Sequence, residues 1–150
     1  MQQVEKERRK EDFESWITFL PDKINELKKV LPKDISDKLD LSDSSLVVLE
    51  GYLLSTFSYD DITKPENKNL VDCLAAYVGS AFKKCWKQSY WDIELDDEKQ
   101  LYFGVPVLKF KDQPLPPISP YHTITTAMDR KKGDIMQLIL SRTQDRLQKA

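Results

Sequence analysis

Few side chains in this sequence could carry acid–base, nucleophilic or metal chemistry. Among its 150 residues His122 is the only histidine, and Cys73 and Cys85 are the only cysteines. We find no Gly-x-Ser-x-Gly elbow, no glycine-rich phosphate loop, no paired-histidine metal motif and no cysteine–histidine spacing typical of a nucleophile. Two cysteines and one histidine so widely dispersed do not predict a zinc site. The sequence therefore predicts a protein that is not an enzyme and uses no cofactor.

One segment matches part of a metal-dependent nuclease motif. Glu66-Asn67-Lys68, with Asp61 upstream, has an acidic-x-lysine spacing. Pro65 predicts that this segment is a helix entry, whereas the nuclease motif needs adjacent strands to bring its carboxylates and lysine to one metal ion. Acidic residues in a first helical turn stabilise the helix dipole, so we predict a structural role. His122 also follows a predicted helix start, where we expect it to cap or pack.

The acidic residues are concentrated in the middle of the chain. Residues 34–99 carry 14 acidic and 7 basic side chains, whereas residues 100–150 carry 4 and 8. The densest runs lie within residues 34–62, which include Glu50, and within residues 92–98. If these runs meet in space, they form a negative surface suited to a basic partner protein. Each run alone is also explained as a solvated surface that keeps the protein soluble.

Tyrosines lie beside both acidic runs, and aromatic side chains next to desolvated acids are typical interface anchors. Each tyrosine could equally belong to the core. The candidate partner-binding residues are Asp37, Asp40, Asp43, Tyr59, Asp60, Asp61, Tyr90, Asp92, Glu94, Asp96, Asp97, Glu98 and Tyr102.

Length and composition indicate one folded domain spanning residues 1–150. Hydrophobic residues make up 40% of the chain and charged residues 32%, which disfavours intrinsic disorder. The net charge of −2 lacks the basic excess typical of nucleic-acid binding, so we expect no nucleic-acid partner. No segment has the length of a signal-peptide core or a membrane span, so we expect a cytoplasmic protein without a membrane partner. Residues 1–10 and 143–150 are expected to fray.

Apolar residues near the N-terminus recur at helical spacing. The stripe consists of Phe13, Ile17, Leu20, Ile24, Leu27 and Leu31. Pro21 interrupts it without changing its phase, which predicts either a kinked helix or two abutting helices that share one buried face. The stripe is too short for a typical coiled coil, so core packing is the favoured interpretation and a homodimer is the alternative.

The predicted fold is α+β and mostly helical. Two helices and two strands follow the N-terminal stripe. A helix follows the capping residues near Ser42, and a central helix runs from about residue 66 to 86. The latter holds both cysteines about 18 Å apart, beyond disulfide reach. Residues 90–95 and 101–110 predict a β-hairpin or small antiparallel sheet, with Pro106 interrupting the second strand.

The C-terminal third combines a proline-rich segment with helices. Residues 111–119 contain three prolines and predict an ordered loop or an extended arm. Ser119-Pro120 is a typical helix start. Gly133 follows three cations and predicts a helix stop, after which a last helix begins near Asp134.

Several of these segments together resemble a known type of protein. They are Trp16–Leu31 (WITFLPDKINELKKVL), Leu39–Leu53 (LDLSDSSLVVLEGYL), Leu74–Phe82 (LAAYVGSAF) with Trp86 following, and Gly104–Val107. The chain resembles small, largely uncharacterised bacterial cytosolic α+β proteins, which are similar to the immunity or accessory proteins that accompany secreted toxins. The resemblance implies a fold and brings no catalytic residue with it. Where that pattern often has a Gly-Gly turn, this chain has residues 87–91 (KQSYW).

Our leading hypothesis is a binding protein that neutralises a cognate protein, such as a basic toxin domain, through the acidic surface and its tyrosines. One alternative is a structural adaptor or homodimer that uses the N-terminal helix. Another is an enzyme or small-ligand module with a carboxylate pocket between the central helix and the hairpin, with Glu94 or Asp92 as the acid. Across these hypotheses, we expect the protein to be a monomer or a homodimer.

Overall fold

The computed structural model describes residues 2–149 and confirms a mostly helical α+β fold. Eight α-helices and one two-stranded antiparallel sheet are present in this range. The helices are α1 Gln3–Thr18, α2 Leu20–Val30, α3 Lys33–Ser36, α4 Asp43–Thr56, α5 Tyr59–Ile62, α6 Lys68–Cys85, α7 Pro120–Arg130 and α8 Ile135–Lys149, and the strands are β1 Ser89–Asp92 and β2 Val107–Phe110.

The N-terminal stripe forms two abutting helices. They separate at Phe19, and Pro21 lies in the first turn of α2, where its missing N–H leaves no donor unsatisfied. Leu27 is fully buried in the core, and α2 packs along α6. The apolar face of α2 is therefore covered by the protein's own core. α1 begins ten residues before Phe13, so residues 3–10, which we expected to fray, are helical.

The central helix α6 is surrounded by its neighbours. Residues 73–79 are all buried, and α2, α7 and α8 each pack against the helix. At its C-terminal end Trp86 stacks on Phe82, with ring centroids 4.6 Å apart, and donates a hydrogen bond from Nε1 to the carbonyl of Leu140 at 3.0 Å. The prediction of a central helix is confirmed.

Both cysteines lie in α6 and both are free thiols. Cys73 is buried and Cys85 is partly buried. Burial and the nearby carboxylate of Glu26 raise the pKa of Cys73 to about 11. The thiol is therefore protonated at neutral pH and is a weak nucleophile.

Two short helices lie in polar segments for which the sequence predicted no helix. α3 occupies residues 33–36, and α5 occupies residues 59–62. α5 has a capping box: the amide of Asp61 donates to Ser58 Oγ at 3.0 Å, and the amide of Ser58 donates to the Asp61 carboxylate at 3.3 Å. This capping box, and not an apolar period, specifies α5, whereas α3 follows Pro32 and has no side-chain cap among the described residues.

The hairpin is shorter than predicted and its connection is longer. Ser89 pairs with Phe110 and Asp92 pairs with Val107, so β1 ends three residues early. β2 begins only after Pro106, because proline has no N–H for the ladder. Residues 93–106 therefore form an extended loop that contains several turns.

The proline-rich segment folds back onto the sheet as an ordered loop. Leu108 and Ile118 exchange two backbone hydrogen bonds of 2.9 and 3.0 Å. α7 follows directly, and the Ser119 hydroxyl accepts the amide N–H of His122 at 3.1 Å, which confirms the predicted helix start.

The C-terminal helices differ slightly from the prediction at their ends. α7 stops at Arg130, and Lys131, two residues before Gly133, adopts the left-handed conformation at φ +56°. α8 extends to Lys149, so residues 143–149, which we expected to fray, are helical, with Leu147 buried. Within residues 2–149, no helix is both long and apolar enough to cross a membrane.

Candidate functional site

The predicted site residues fall into three separate groups. Asp37, Asp40 and Asp43 lie at the junction of α3 and α4, whereas Tyr59, Asp60 and Asp61 lie beyond the other end of α4. The 14 residues of α4 separate these two groups by about 20 Å at 1.5 Å per residue. The acidic residues of positions 34–62 therefore do not form one continuous patch.

The third group belongs to the hairpin and its long loop. Its members are Tyr90, Asp92, Glu94, Asp96, Asp97, Glu98 and Tyr102. Several of these acids interact with nearby donors: Asp92 pairs with Lys109 at 2.8 Å, Asp96 pairs with Lys6, and Glu94 accepts the amide N–H of Asp96 at 3.0 Å. Ion pairs within the protein therefore reduce the negative charge that this group presents.

Glu50 does not belong to the acidic surface. Its side chain is fully buried, and its two carboxylate oxygens accept the backbone N–H groups of Ile135 at 3.0 Å and Met136 at 2.8 Å. These are the first two residues of α8. Glu50 is therefore a buried anion at the positive end of a helix, and counting it as a surface charge was wrong.

A cavity lies between α5, the start of α6 and α7. We call it the α5–α7 groove, and it has a volume of about 940 Å³. Apolar side chains of Ile62, Val71 and Ile124 lie along it. Its lining comprises Ile62, Thr63, Lys64, Pro65, Glu66, Lys68, Asn69, Val71, Asp72, Tyr121, Ile124 and Thr125. A volume of this size can accept several side chains of a partner or a small molecule.

Asp72 lies in this lining and accepts hydrogen bonds from three other helices. Trp16 Nε1 donates at 2.8 Å, Lys23 Nζ donates at 2.6 Å, and the Tyr121 hydroxyl donates as well. The Trp16 ring also packs edge-on against Trp91, with centroids 5.0 Å apart. Asp72 thus connects α6 to α1, α2 and α7 and fixes the wall of the groove.

No family model, curated protein or solved structure matches this chain. In residues 2–149, no group of three or more histidine, cysteine or acidic side chains could hold a metal ion. Glu66 lies in a 3-10 turn (Pro65–Asn67) that leads into α6, as the helix-entry interpretation predicted.

The protonation states of Asp72 and Tyr121 are fixed near neutral pH. Burial raises the pKa of Asp72, but the hydrogen bonds from Lys23, Tyr121 and Trp16 outweigh burial and hold this pKa below its ordinary value. Burial, together with the hydrogen bond to Asp72, raises the pKa of Tyr121 well above its ordinary value. The carboxylate therefore stays ionised and the phenol stays protonated, which suits a structural link better than proton transfer.

Two of the predicted residues lie on α5, the helix whose Ile62 lines the groove. Tyr59 is 40% exposed and Asp60 is exposed, both on α5. The Asp60 and Glu66 carboxylates have no hydrogen bond or ion pair within residues 2–149. Asp61, in contrast, is held by its capping box and by Lys64 at 3.2 Å. Of the acids on α5, Asp60 is thus the one available to a partner.

Sequence reasoning missed the residues that build this groove. Trp16, Lys23, Asp72 and Tyr121 come from four helices, and no local period or motif links them. The one available signal was Asp72 itself, an acidic residue within the central helix between Val71 and Cys73, where an unpaired charge would be costly.

We expect Asp72→Asn to lower the free energy of unfolding by about 2 kcal/mol, because charge-assisted hydrogen bonds to two or three donors are weakened. Asp129→Asn is the matched control, since Asp129 is exposed at the end of α7 without a partner in residues 2–149. Urea denaturation monitored by circular dichroism measures both. Equal stability of the two variants would show that Asp72 does not connect these helices.

The same variant tests how the contribution of Asp72 to the free energy of unfolding depends on pH. Since the folded pKa of Asp72 lies below its unfolded value, its stabilising contribution is complete above about pH 4 and is lost as pH falls through the folded pKa. The stability difference between wild type and Asp72→Asn is therefore expected to shrink below pH 4. A difference that stays constant down to pH 2 would contradict this assignment.

Proposed function

We propose that this chain is a non-enzymatic protein-binding module of the immunity type, which neutralises a cognate protein by engaging it at the α5–α7 groove. The observation that carries the proposal is an open, largely apolar groove with one unpaired carboxylate, that of Glu66, in its lining, next to the exposed residues Tyr59 and Asp60 of the adjoining helix α5. Such a combination of apolar floor, polar rim and aromatic side chain is typical of protein interfaces. The sequence resemblance to toxin-immunity proteins supports the same conclusion.

The charges at the groove indicate the chemistry of the partner. Two unpaired carboxylates, that of Glu66 in the lining and that of Asp60 on the adjoining helix α5, outnumber one unpaired ammonium in the lining, that of Lys68, among the described residues. The partner is therefore a protein that inserts an apolar side chain into the groove and places lysine or arginine residues at its rim. Complementary charge of this kind increases the association rate and is weakened by salt.

Two alternative interfaces have less support. An enzyme pocket between the central helix and the hairpin has little space, because Trp91 lies directly against Gly79 of α6. The cavity that contains Glu94, about 390 Å³ in volume, lies instead between the long loop and the proline-rich segment. A homodimer through the N-terminal stripe would need the α2 face that packs on α6.

The test uses a charge-reversal variant at the groove and a matched variant elsewhere. Asp60→Lys/Glu66→Lys reverses the two unpaired rim carboxylates and leaves the Asp61 capping box intact. Glu11→Lys/Asp12→Lys makes the same charge change on α1, where both residues are exposed and have no partner in residues 2–149. Each immobilised protein is exposed to a lysate of its own source cells at low and moderate salt, and the retained protein is then purified and titrated.

We expect wild type and the α1 variant to retain one stoichiometric, salt-sensitive partner with a basic surface. The groove variant is expected to bind that purified partner at least about tenfold more weakly while keeping its circular dichroism spectrum. Equal binding by the groove variant, or no partner retained by wild type, would contradict the proposal.

A further inference from the structure

A second groove lies on the other side of α7, between α7 and α8. We call it the α7–α8 groove, and its volume is about 350 Å³. Ile135, Leu138 and Ile139 provide apolar surface in it. The two facing helices contribute polar side chains, among them Thr126, Arg130, Arg142, Thr143 and Arg146.

The arginines of this groove have no partner within the part of the chain that the structure describes. None of Arg130, Arg142 and Arg146 makes an ion pair or side-chain hydrogen bond within residues 2–149. Thr143 is only 9% exposed, and its hydroxyl has no hydrogen-bond partner in the same range. All three arginines are exposed at this groove, so their guanidinium groups are open to an anionic ligand.

The acids nearest in sequence leave this positive charge in place. Asp129 and Asp145 adjoin Arg130 and Arg146 in the chain, but neither lines the groove, and neither forms an ion pair with its neighbour. The lining of the groove therefore carries three positive charges and no carboxylate.

We propose that the α7–α8 groove binds a small organic phosphate, with its apolar body on the Ile135–Ile139 surface and its phosphate among the three arginines. A guanidinium group presents two parallel N–H donors that match two phosphate oxygens. The hydroxyls of Thr126 and Thr143 supply further donors of the kind that orient a phosphate. The volume suits a ligand of small-molecule size and is too narrow for a folded partner domain.

The test uses 1-naphthyl phosphate as the probe, with 1-naphthol and inorganic phosphate as comparisons. These separate the contribution of the apolar body from that of the charge. Binding to the full chain is measured by isothermal titration calorimetry at fixed salt. We expect 1-naphthyl phosphate to bind at least about tenfold more tightly than either comparison molecule, because only it occupies both the apolar floor and the arginines.

Arg142→Gln/Arg146→Gln tests the arginines directly, and Lys28→Gln/Lys29→Gln is the matched control. The control removes the same charge from exposed positions on α2, where neither lysine side chain has a partner in residues 2–149. The arginine variant is expected to bind 1-naphthyl phosphate about tenfold or more weakly, and the lysine variant is expected to change affinity less than about twofold.

Three outcomes would overturn the proposal. One is that no binding of 1-naphthyl phosphate is measured at millimolar concentration. Another is an equal loss of affinity in both variants, which would indicate a response to net charge alone. The third is displacement of the probe by a hexaglutamate peptide at similar concentration, which would identify an acidic protein segment as the occupant. None of these outcomes bears on the α5–α7 groove, whose variants are different.

Discussion

Gly79→Ala is expected to lower the free energy of unfolding by about 3 kcal/mol. Gly79 is buried in α6, and a methyl group there would lie 2.2 Å from Cη2 and 2.8 Å from Cζ2 of Trp91, and 3.0 Å from Cγ of Pro120. Trp91 is itself packed against Trp16. Relief of the clash therefore requires the indole to leave its position and break that contact.

Gly51→Ala provides the matched control for this prediction. Gly51 is an exposed interior residue of α4, and its added methyl group would meet nothing within 4 Å. The same substitution there is expected to stabilise the protein by about 0.5 to 1 kcal/mol, since alanine favours a helix more than glycine does. Urea denaturation followed by far-ultraviolet circular dichroism measures both changes.

A second variant keeps the test informative if Gly79→Ala does not fold. In Trp91→Leu the smaller side chain removes the clashing ring atoms, so adding Gly79→Ala to it is expected to cost much less than in the wild-type background. A destabilisation by Gly79→Ala that is equal in both backgrounds, or a gain equal to that of Gly51→Ala, would show that Trp91 does not pack on Gly79.

Local patterns predicted most of the helical fold because each depends on neighbours in the chain. The apolar period from Phe13 to Leu31 indicated a buried face, and Ser42 and Ser119 indicated two helix starts. The short helices α3 and α5 were missed, since four residues are too few to show a period. The hairpin was predicted with strands that are too long. Aromatic and branched residues before Pro106 are typical of a strand, but in the structure they belong to the loop of residues 93–106.

The candidate sites could not be predicted in the same way, because long-range contacts assemble them. Asp72 accepts hydrogen bonds from side chains at positions 16, 23 and 121. The arginines of the α7–α8 groove come from two helices, α7 and α8. The number of acidic residues in a segment also overestimates the negative charge that the segment presents at the surface. Asp92 and Asp96 are neutralised by lysines distant in sequence, and Glu50 is not on the surface at all.

Helix α7 separates the two proposed sites, and its sequence explains how it can serve both. Tyr121, Ile124 and Thr125 face the α5–α7 groove, whereas Thr126 and Arg130 face the α7–α8 groove. Residues one to two positions apart in a helix point in different directions, so one helix can present an apolar wall to one side and cationic groups to the other. A rigid position of α7 and α8 is therefore needed for both grooves; Asp72 holds α7 through Tyr121, and Glu50 holds the start of α8.

Glu50→Ala is expected to destabilise the protein by about 4 kcal/mol. The substitution leaves the buried N–H groups of Ile135 and Met136 without acceptors, at about 1 to 3 kcal/mol each. It also removes the anion at the positive end of α8 and opens a cavity beneath it. Because Glu50 belongs to α4, we expect the loss of stability first at the contact between α4 and α8.

Glu50→Gln and Glu11→Ala separate the charge of Glu50 from its position. Glutamine keeps one acceptor oxygen but turns an NH₂ group toward the second amide, so it is expected to cost about 2 kcal/mol. Glu11 is exposed and unpartnered in residues 2–149, and its truncation is expected to change stability by less than about 0.5 kcal/mol. Urea denaturation gives these values, and amide hydrogen exchange reports the first turn of α8 directly. If Glu50→Ala is no less stable than Glu11→Ala, or if the Ile135 and Met136 amides exchange as slowly in it as in wild type, Glu50 does not cap α8.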